Sequence, residues 1–193
     1  MKLGILPLTG NNIASICNAL PKGTFFEIIK EKTSLDSFTH LILPGVGHAA
    51  KLSEGSKSWR EALLNYKGSV LGICLGMQFM FDFLEEGEIP GLGLVSGKVT
   101  TIQPNPHPVP NMGWHPVHPI KKSPLLKGIE ESSFYFVHSF ACPVGKETLC
   151  RLEYNGHWTA IVQKNSWIGT QFHPEKSGRA GLQFLKNYLE FSP

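Results

Sequence analysis

The apolar positions follow two different rhythms, and the change falls near the middle of the chain. In the first half, short continuous apolar runs of buried-strand type alternate with stretches of helical spacing. Lys2–Leu6, Thr24–Ile29 and His40–Leu43 are predicted strands. Between the first two, Ile13, Ile16, Cys17 and Leu20 recur at i, i+3, i+4, i+7, which predicts a helix with Cys17 in the core. Asn11 or Asn12 is the residue type that caps such a helix. Trp59, Ala62, Leu63 and Tyr66 mark a second helix leading into Ser69–Ile73, a short buried strand. Leu75–Leu84 follows at once and is predicted to be an apolar helix. Strand–helix alternation of this kind predicts a doubly wound α/β fold, its sheet mostly parallel, with ligands at the carboxyl ends of the strands.

From Gly97 onward the segments are short and β-like: Lys98–Ile102, Phe134–His138, Thr148–Tyr154, Trp158–Gln163 and Trp167–Phe172. They predict antiparallel additions to the sheet in the second half. The proline-rich stretch Pro104–Pro119 is predicted to be a non-helical loop. Ser177 is placed to cap a closing helix whose Leu182, Leu185 and Leu189 are expected to face the sheet. No repeat and no linker is visible, so residues 1–193 are read as one domain.

Composition narrows the function classes. A chain of 193 residues with 41% hydrophobic content can bury a sizeable core. The balance of 18 basic and 15 acidic residues gives +3, without a basic run or interleaved aromatics, which argues against nucleic acid. No apolar run has the length of a bilayer span and no leader pattern is seen, so no membrane association is expected. Cys17, Cys74, Cys142 and Cys150 form neither a CxxC pair nor a disulfide framework, and a reducing, cytoplasmic setting is expected.

The candidate chemistry centres on Cys74. It stands at the junction of a strand and a helix, with Gly72 and Gly76 two positions away on either side, the pattern of a nucleophile elbow. The sharp turn brings backbone too close for side chains, hence the glycines. A thiol there faces unpaired helix N–H groups, which favours thiolate, and the Leu75 N–H is placed to donate to an oxyanion. Gln78 lies one turn further on the same face. The competing reading is a cysteine that only packs the end of a core strand.

A cysteine nucleophile needs a base, a group that orients the base, and oxyanion donors. His173 ends a predicted strand, and Glu175 follows two residues on across Pro174, so an extended backbone sets imidazole and carboxylate side by side. Pro44-Gly45-Val46-Gly47 ends a neighbouring strand, and its glycines let a peptide turn an N–H of Val46 or Gly47 toward a substrate oxygen. A phosphate loop is the rival for this segment, but neither GxxxxGK[ST] nor GxGxxG is present. His115-x-x-His118 has metal-ligand spacing, yet no cysteine or carboxylate accompanies it in its loop, and no metal is expected. Trp59, Trp158 and Trp167 read as packing. Trp114, in a loop after Met-Gly, reads as a contact surface. Cys142 and Cys150 read as structural.

Gly-Ile-Cys74-Leu-Gly-Met-Gln78 together with Gln-Phe-His173-Pro-Glu175-Lys176-Ser resembles a class I, triad-type glutamine amidotransferase. Within that group, Pro110-Asn-Met-Gly-Trp114, Tyr135-Phe-Val-His-Ser139, Gly91-Leu-Gly-Leu94 and Pro44-Gly-Val-Gly47 resemble the glutaminase subunit of imidazole glycerol phosphate synthase. The resemblance implies a Cys74–His173–Glu175 triad and no cofactor. It implies glutamine held by Gly47, Gln78 and the backbone around His138 and Ser139. It also implies a heterodimer in which Trp114 and Lys176 face a cyclase subunit that receives the ammonia. Two stretches depart from the family pattern. Pro7-Leu-Thr-Gly-Asn-Asn12 stands where Asp-Tyr-Gly-x-Gly-Asn is usual, and His115 follows Met-Gly-Trp where asparagine is usual. Three alternatives therefore stay open. One is a glutaminase serving a related synthase that forms an amidino group, another is a hydrolase of similar topology, and the last is a catalytically silent binding subunit.

Overall fold

The computed structural model describes residues 1–9, 12–30 and 34–191, the side chain of Ser53 excepted. Asn11, one of the two candidate caps, lies outside the described residues. In chain order the first half contains β1 (Leu3–Ile5), α1 (Ile13–Ala19), β2 (Phe26–Ile28), β3 (His40–Gly45), α2 (Ala50–Gly55), α3 (Arg60–Asn65), β4 (Ser69–Cys74) and α4 (Leu75–Gln78). The second half contains β5 (Phe81–Leu84), β6 (Ile89–Pro90), β7 (Val95–Thr101), β8 (Asn111–Pro116), β9 (His118–Pro119), β10 (Ser133–His138) and β11 (Phe140–Ala141). It ends with β12 (Thr148–Glu153), β13 (His157–Lys164), β14 (Trp167–Thr170) and α5 (Gly178–Leu189).

The main sheet has the order β2-β1-β3-β4-β14-β13-β12-β9. Its pairs are parallel from β2 to β14 and antiparallel from β14 to β9, as the change of rhythm along the chain predicts. Alternation along each central strand feeds two cores. Ile42, Leu71 and Ile73 join a cluster with Ile16 of α1 and Phe184, Leu185 and Tyr188 of α5. Leu41, Leu43 and Val70 join the opposite cluster with Leu52 of α2, Leu63 of α3 and Met77 of α4. Both faces are covered, so the central strands bury every residue and read as continuous apolar runs. Smaller sheets, β10-β8 and β11-β7-β5-β6, flank the main one.

Four elements differ from expectation. The helix after Cys74 stops at Gln78 instead of Leu84. The carbonyls of Phe79, Met80, Phe81 and Asp82 accept from N–H groups within Gly91–Val95, so no helical bond claims them and the chain runs on as β5. An apolar run of that length fits either state, and a distant partner decided it. The stretch Pro104–Pro119 is not all loop: β8 pairs antiparallel with β10, and the flanking prolines Pro110 and Pro116 stand at the ends of the strand. In α5 the buried stripe is Gly181, Phe184, Leu185 and Tyr188, one residue out of phase with Leu182, which is 47% exposed. Leu189 is half-buried, as is Cys17, which packs against the core from its edge.

The expected caps have other work. Ser177 Oγ does not cap α5; it donates to the His173 carbonyl at 2.7 Å and accepts from the Tyr135 N–H at 2.9 Å. Asn12 sits at the N-cap position in left-handed conformation (φ 68°) without capping the helix, because its side chain reaches Glu175. Among the described residues no helix is long and apolar enough to cross a membrane.

Candidate active site

The carboxyl ends of three adjacent parallel strands meet at one edge of the sheet. β3 ends in the Gly45–Gly47 loop, β4 ends in Cys74, and β14 runs on to His173. Cys74 has φ 53° and ψ −106°, a conformation that a non-glycine residue holds only when its surroundings impose it. The surroundings are the packed strand–helix corner. A Cβ on Gly72 would lie 2.5 Å from the Gly76 carbonyl oxygen, and one on Gly76 would overlap the carbonyl oxygen of Leu43. The glycines flanking the cysteine are therefore required by close approach of backbone to backbone. With α4 only one turn long, its aligned dipole is small, and what it offers the site is its free N–H groups.

His173 Nδ1 lies 2.7 Å from Glu175 Oε1, with the two side chains 1% and 0% exposed. The His173 backbone N–H is anchored on the Tyr135 carbonyl at 2.9 Å, and Pro174 opens a single tight turn that returns Glu175 beneath the ring. Phe172 fixes the approach, stacked on Phe134 with ring centroids 4.0 Å apart. Burial opposes a charge on His173, but the Cys74 sulfur and the Glu175 carboxylate outweigh it and push its pKa up to about 10. Its Nε2 is buried with no hydrogen bond of normal geometry, and the sulfur is the charge-favouring group beside it. Such contacts tighten when a substrate is bound.

A cleft of about 330 Å³ opens over Cys74, lined by Gly45, Val46, Gly47, Leu75, Gln78, Glu86, Val137, His138, Ser139, Phe140, His173 and Lys176. Every residue expected at the nucleophile, the oxyanion loop and the substrate site borders it except Glu175, which stands behind His173. Gly47 has φ +104°, a backbone state that favours glycine, and open space where a Cβ would sit. The His138 ring is turned into the fold. Its Nδ1 donates to the Phe140 carbonyl at 2.8 Å and its Nε2 accepts from Asn111 Nδ2 at 3.0 Å, a neutral tautomer assigned from this network. Burial, partly offset by the Phe140 carbonyl, holds its pKa down at about 4. Both ring nitrogens are spent inside the fold, leaving the backbone of this segment to face the cleft.

Three residues in or behind the cleft were not among the expected site residues. Glu86 brings a carboxylate to the rim from the turn after β5 and accepts from the Ala49 N–H at 3.0 Å. Gln171, fully buried, donates from Nε2 to Cys74 Sγ at 3.6 Å; its position two residues before His173 in an extended segment was a usable clue. Asn12 donates to Glu175 Oε1 at 2.5 Å.

The remaining candidates separate cleanly. Trp114 is 55% exposed and Met112 61%, both on the outer face of β8. The Trp114 ring reaches the start of α5, 3.7 Å from where a Gly178 Cβ would be, which sets it near exposed Lys176. His115 points to the other face of β8, against Phe136 and Tyr154, so it does not share the Trp114 surface. His118 belongs to the main sheet and His115 to the β10-β8 pair, so the two histidines diverge. Among the described residues no three His, Cys, Asp or Glu side chains are grouped to hold a metal. Burial pushes the Cys150 thiol up to about 12 and raises that of Cys142 as well, in keeping with structural roles. Trp167 is buried, and Trp59 and Trp158 pack against the cores from their edges.

Residues 17–190 match the class-I glutamine amidotransferase family. The chain belongs to that family. It is 38% identical over 192 residues to the imidazole glycerol phosphate synthase subunit HisH 2 of Legionella pneumophila, covering 97% of this chain and 96% of the relative. It is 40% identical over 186 residues to the subunit HisH of Haemophilus influenzae, covering 94% of each. Among solved structures, a putative GMP synthase subunit from Thermoplasma acidophilum aligns with a TM-score of 0.74 at 16% identity, over 98% of this chain and 92% of that one. A structure described as a glutamine amidotransferase aligns at 0.70 with 19% identity, over 96% and 98%. These two establish likeness of fold.

Proposed function

We propose that the chain is the glutaminase subunit of an imidazole glycerol phosphate synthase, hydrolysing L-glutamine and passing ammonia to a cyclase subunit in histidine biosynthesis. The observation that carries the chemistry is the convergence of a strained Cys74, the buried His173–Glu175 pair at 2.7 Å and an open cleft over the sulfur. The near full-length similarity to HisH subunits supports the choice of pathway.

In this reading the Cys74 thiolate attacks the side-chain amide carbon of glutamine. The oxyanion meets the Leu75 N–H and an N–H of the Val46–Gly47 segment. His173, held charged by Glu175, gives its proton to the departing ammonia. It then takes one from the water that cleaves the glutamyl thioester, and Cys74 is restored. Gln78, Gly47 and the backbone of His138 and Ser139 hold the substrate, with the Glu86 carboxylate available to its ammonium group. The positive φ of Gly47 and the open space beside it suit a loop that supplies its donor only in the complex. A missing oxyanion donor lowers turnover by about 10²–10³, so the isolated chain should be slow and the complex fast.

The exposed Trp114–Met112 face, beside Lys176 and close to His173, is the proposed docking surface for the cyclase, so that ammonia is released next to its consumer. No cofactor or metal enters this scheme. The departure at Pro7–Asn12 favours a second reading for the partner alone, a related synthase that builds an amidino group. Complementation decides between them. A histidine auxotroph lacking its glutaminase subunit, supplied with this chain and its own cyclase subunit, should grow without histidine. Failure to grow from a soluble, glutaminase-active complex would favour the second partner.

A further inference from the structure

Gln171 is fully buried and makes three contacts that the catalytic scheme above does not use. Its backbone N–H donates to the Ala160 carbonyl at 2.9 Å, fixing the segment that follows β14. Its Oε1 accepts from Gln78 Nε2 at 3.1 Å, and its own Nε2 points at Cys74 Sγ at 3.6 Å. The polarity of this chain of contacts is forced. Gln78 Nε2 also donates to the Phe140 carbonyl at 3.1 Å, so both of its N–H groups are engaged and only Oε1 is left for the cleft. Turning the Gln78 amide over would set its oxygen against the Phe140 carbonyl and against Gln171 Oε1, and a buried clash of two acceptors is costly. Turning Gln171 over would set its amine against that of Gln78 and its oxygen against the sulfur.

The geometry points to Gln171 as a positioning residue with two linked tasks: it aims an N–H at the Cys74 sulfur, and it locks Gln78 so that the cleft sees an acceptor only. The sulfur thus stands between His173 and Gln171, which extended backbone places two residues apart on one side. An N–H donor is accepted far better by a thiolate than by a thiol, because the charge strengthens the bond. An acceptor-only Gln78 selects a substrate group that donates, such as an ammonium or a primary amide, over one that only accepts. The second task rests on the glutaminase reading; the contact with sulfur does not.

The test uses the complex with the cyclase subunit and the variants Gln171→Met and Gln78→Ala. Gln78→Ala should raise KM with little change in kcat. Gln171→Met should raise KM and also lower kcat, by about tenfold to a hundredfold, the effect of losing one hydrogen bond to a charged group. Independently of glutamine turnover, capture of Cys74 by iodoacetamide is followed across pH. Its profile should move to higher pH in Gln171→Met and stay in place in Gln78→Ala. Should Gln171→Met not fold, Gln171→Glu keeps the shape and the acceptor for Gln78 and moves the profile further, since it sets a carboxylate against the sulfur. A folded variant with an unmoved profile overturns the contact with sulfur. A moved profile with wild-type KM overturns the locking of Gln78. A moved profile in a chain without glutaminase activity leaves the contact standing and refutes the proposed function.

Discussion

Asn12 and Glu175, 163 positions apart in sequence, are joined by a side-chain hydrogen bond of 2.5 Å to the same carboxylate oxygen that His173 engages. The first loop of the fold therefore touches the carboxylate that pairs with His173. That loop is also where the chain departs from its family pattern, while Asn12 itself keeps the usual asparagine.

Asn12→Ala should lower glutamate release at saturating glutamine by about tenfold to a hundredfold, the range for removing one hydrogen bond to a carboxylate, with KM close to wild type. Steady-state kinetics on the complex measures this. Unchanged kcat would mean that the contact does not position Glu175.

Gly76→Ala should destabilise the fold by about 1–3 kcal/mol or more, because its Cβ overlaps backbone that has no room to yield. Urea unfolding gives the number. Wild-type stability would show that the elbow is looser than its contacts require.

Stability should fall on acidification because of His138. Its pKa is about 4 in the fold and near the ordinary 6.5 once unfolded, so the unfolded chain binds the extra proton between those values. The loss begins below pH 6.5, is complete near pH 4, and amounts to roughly 3 kcal/mol for this group. His173 has the opposite sign: raised to about 10, it contributes stability that is full below pH 6.5 and lost as pH rises through about 10. Urea midpoints of wild type and His138→Gln across pH separate the two, since the variant should lose only the acid slope. An acid slope that survives in His138→Gln would remove His138 as its source.

Trp114→Ala should weaken cyclase binding by about tenfold or more, as expected for an exposed aromatic anchor at an interface, with the fold unchanged. Titration calorimetry or a binding-dependent activation curve reads it out. Wild-type affinity would move the docking surface away from β8.

The sequence carried the strand order's raw material and the chemistry, and the limits of its legibility have physical causes. The strand Ser69–Ile73 was readable because both of its faces are buried, and Gly72, Cys74 and Gly76 because backbone crowding admits few residue types. His173 and Glu175 were readable because two-residue spacing in extended backbone needs no tertiary information. The end of α4 was not readable, since N–H groups of Gly91–Val95, beyond the run itself, claim the carbonyls of Phe79–Asp82. Nor was β8, whose pairing with β10 lies in another part of the chain. The polar contacts of His138, Asn12 and Gln171 were hidden for the same reason: Asn111, Glu175 and Cys74 reach them only through the fold.

Cys74, at the strained end of β4, is proposed as the nucleophile of a glutaminase. Glutamate release from glutamine by the complex with its cyclase subunit, measured side by side for wild type and Cys74→Ala, tests it most directly. Circular dichroism confirms that both are folded. Wild type should release glutamate steadily and the folded variant none above background; near-wild-type release from Cys74→Ala would rule Cys74 out as the nucleophile.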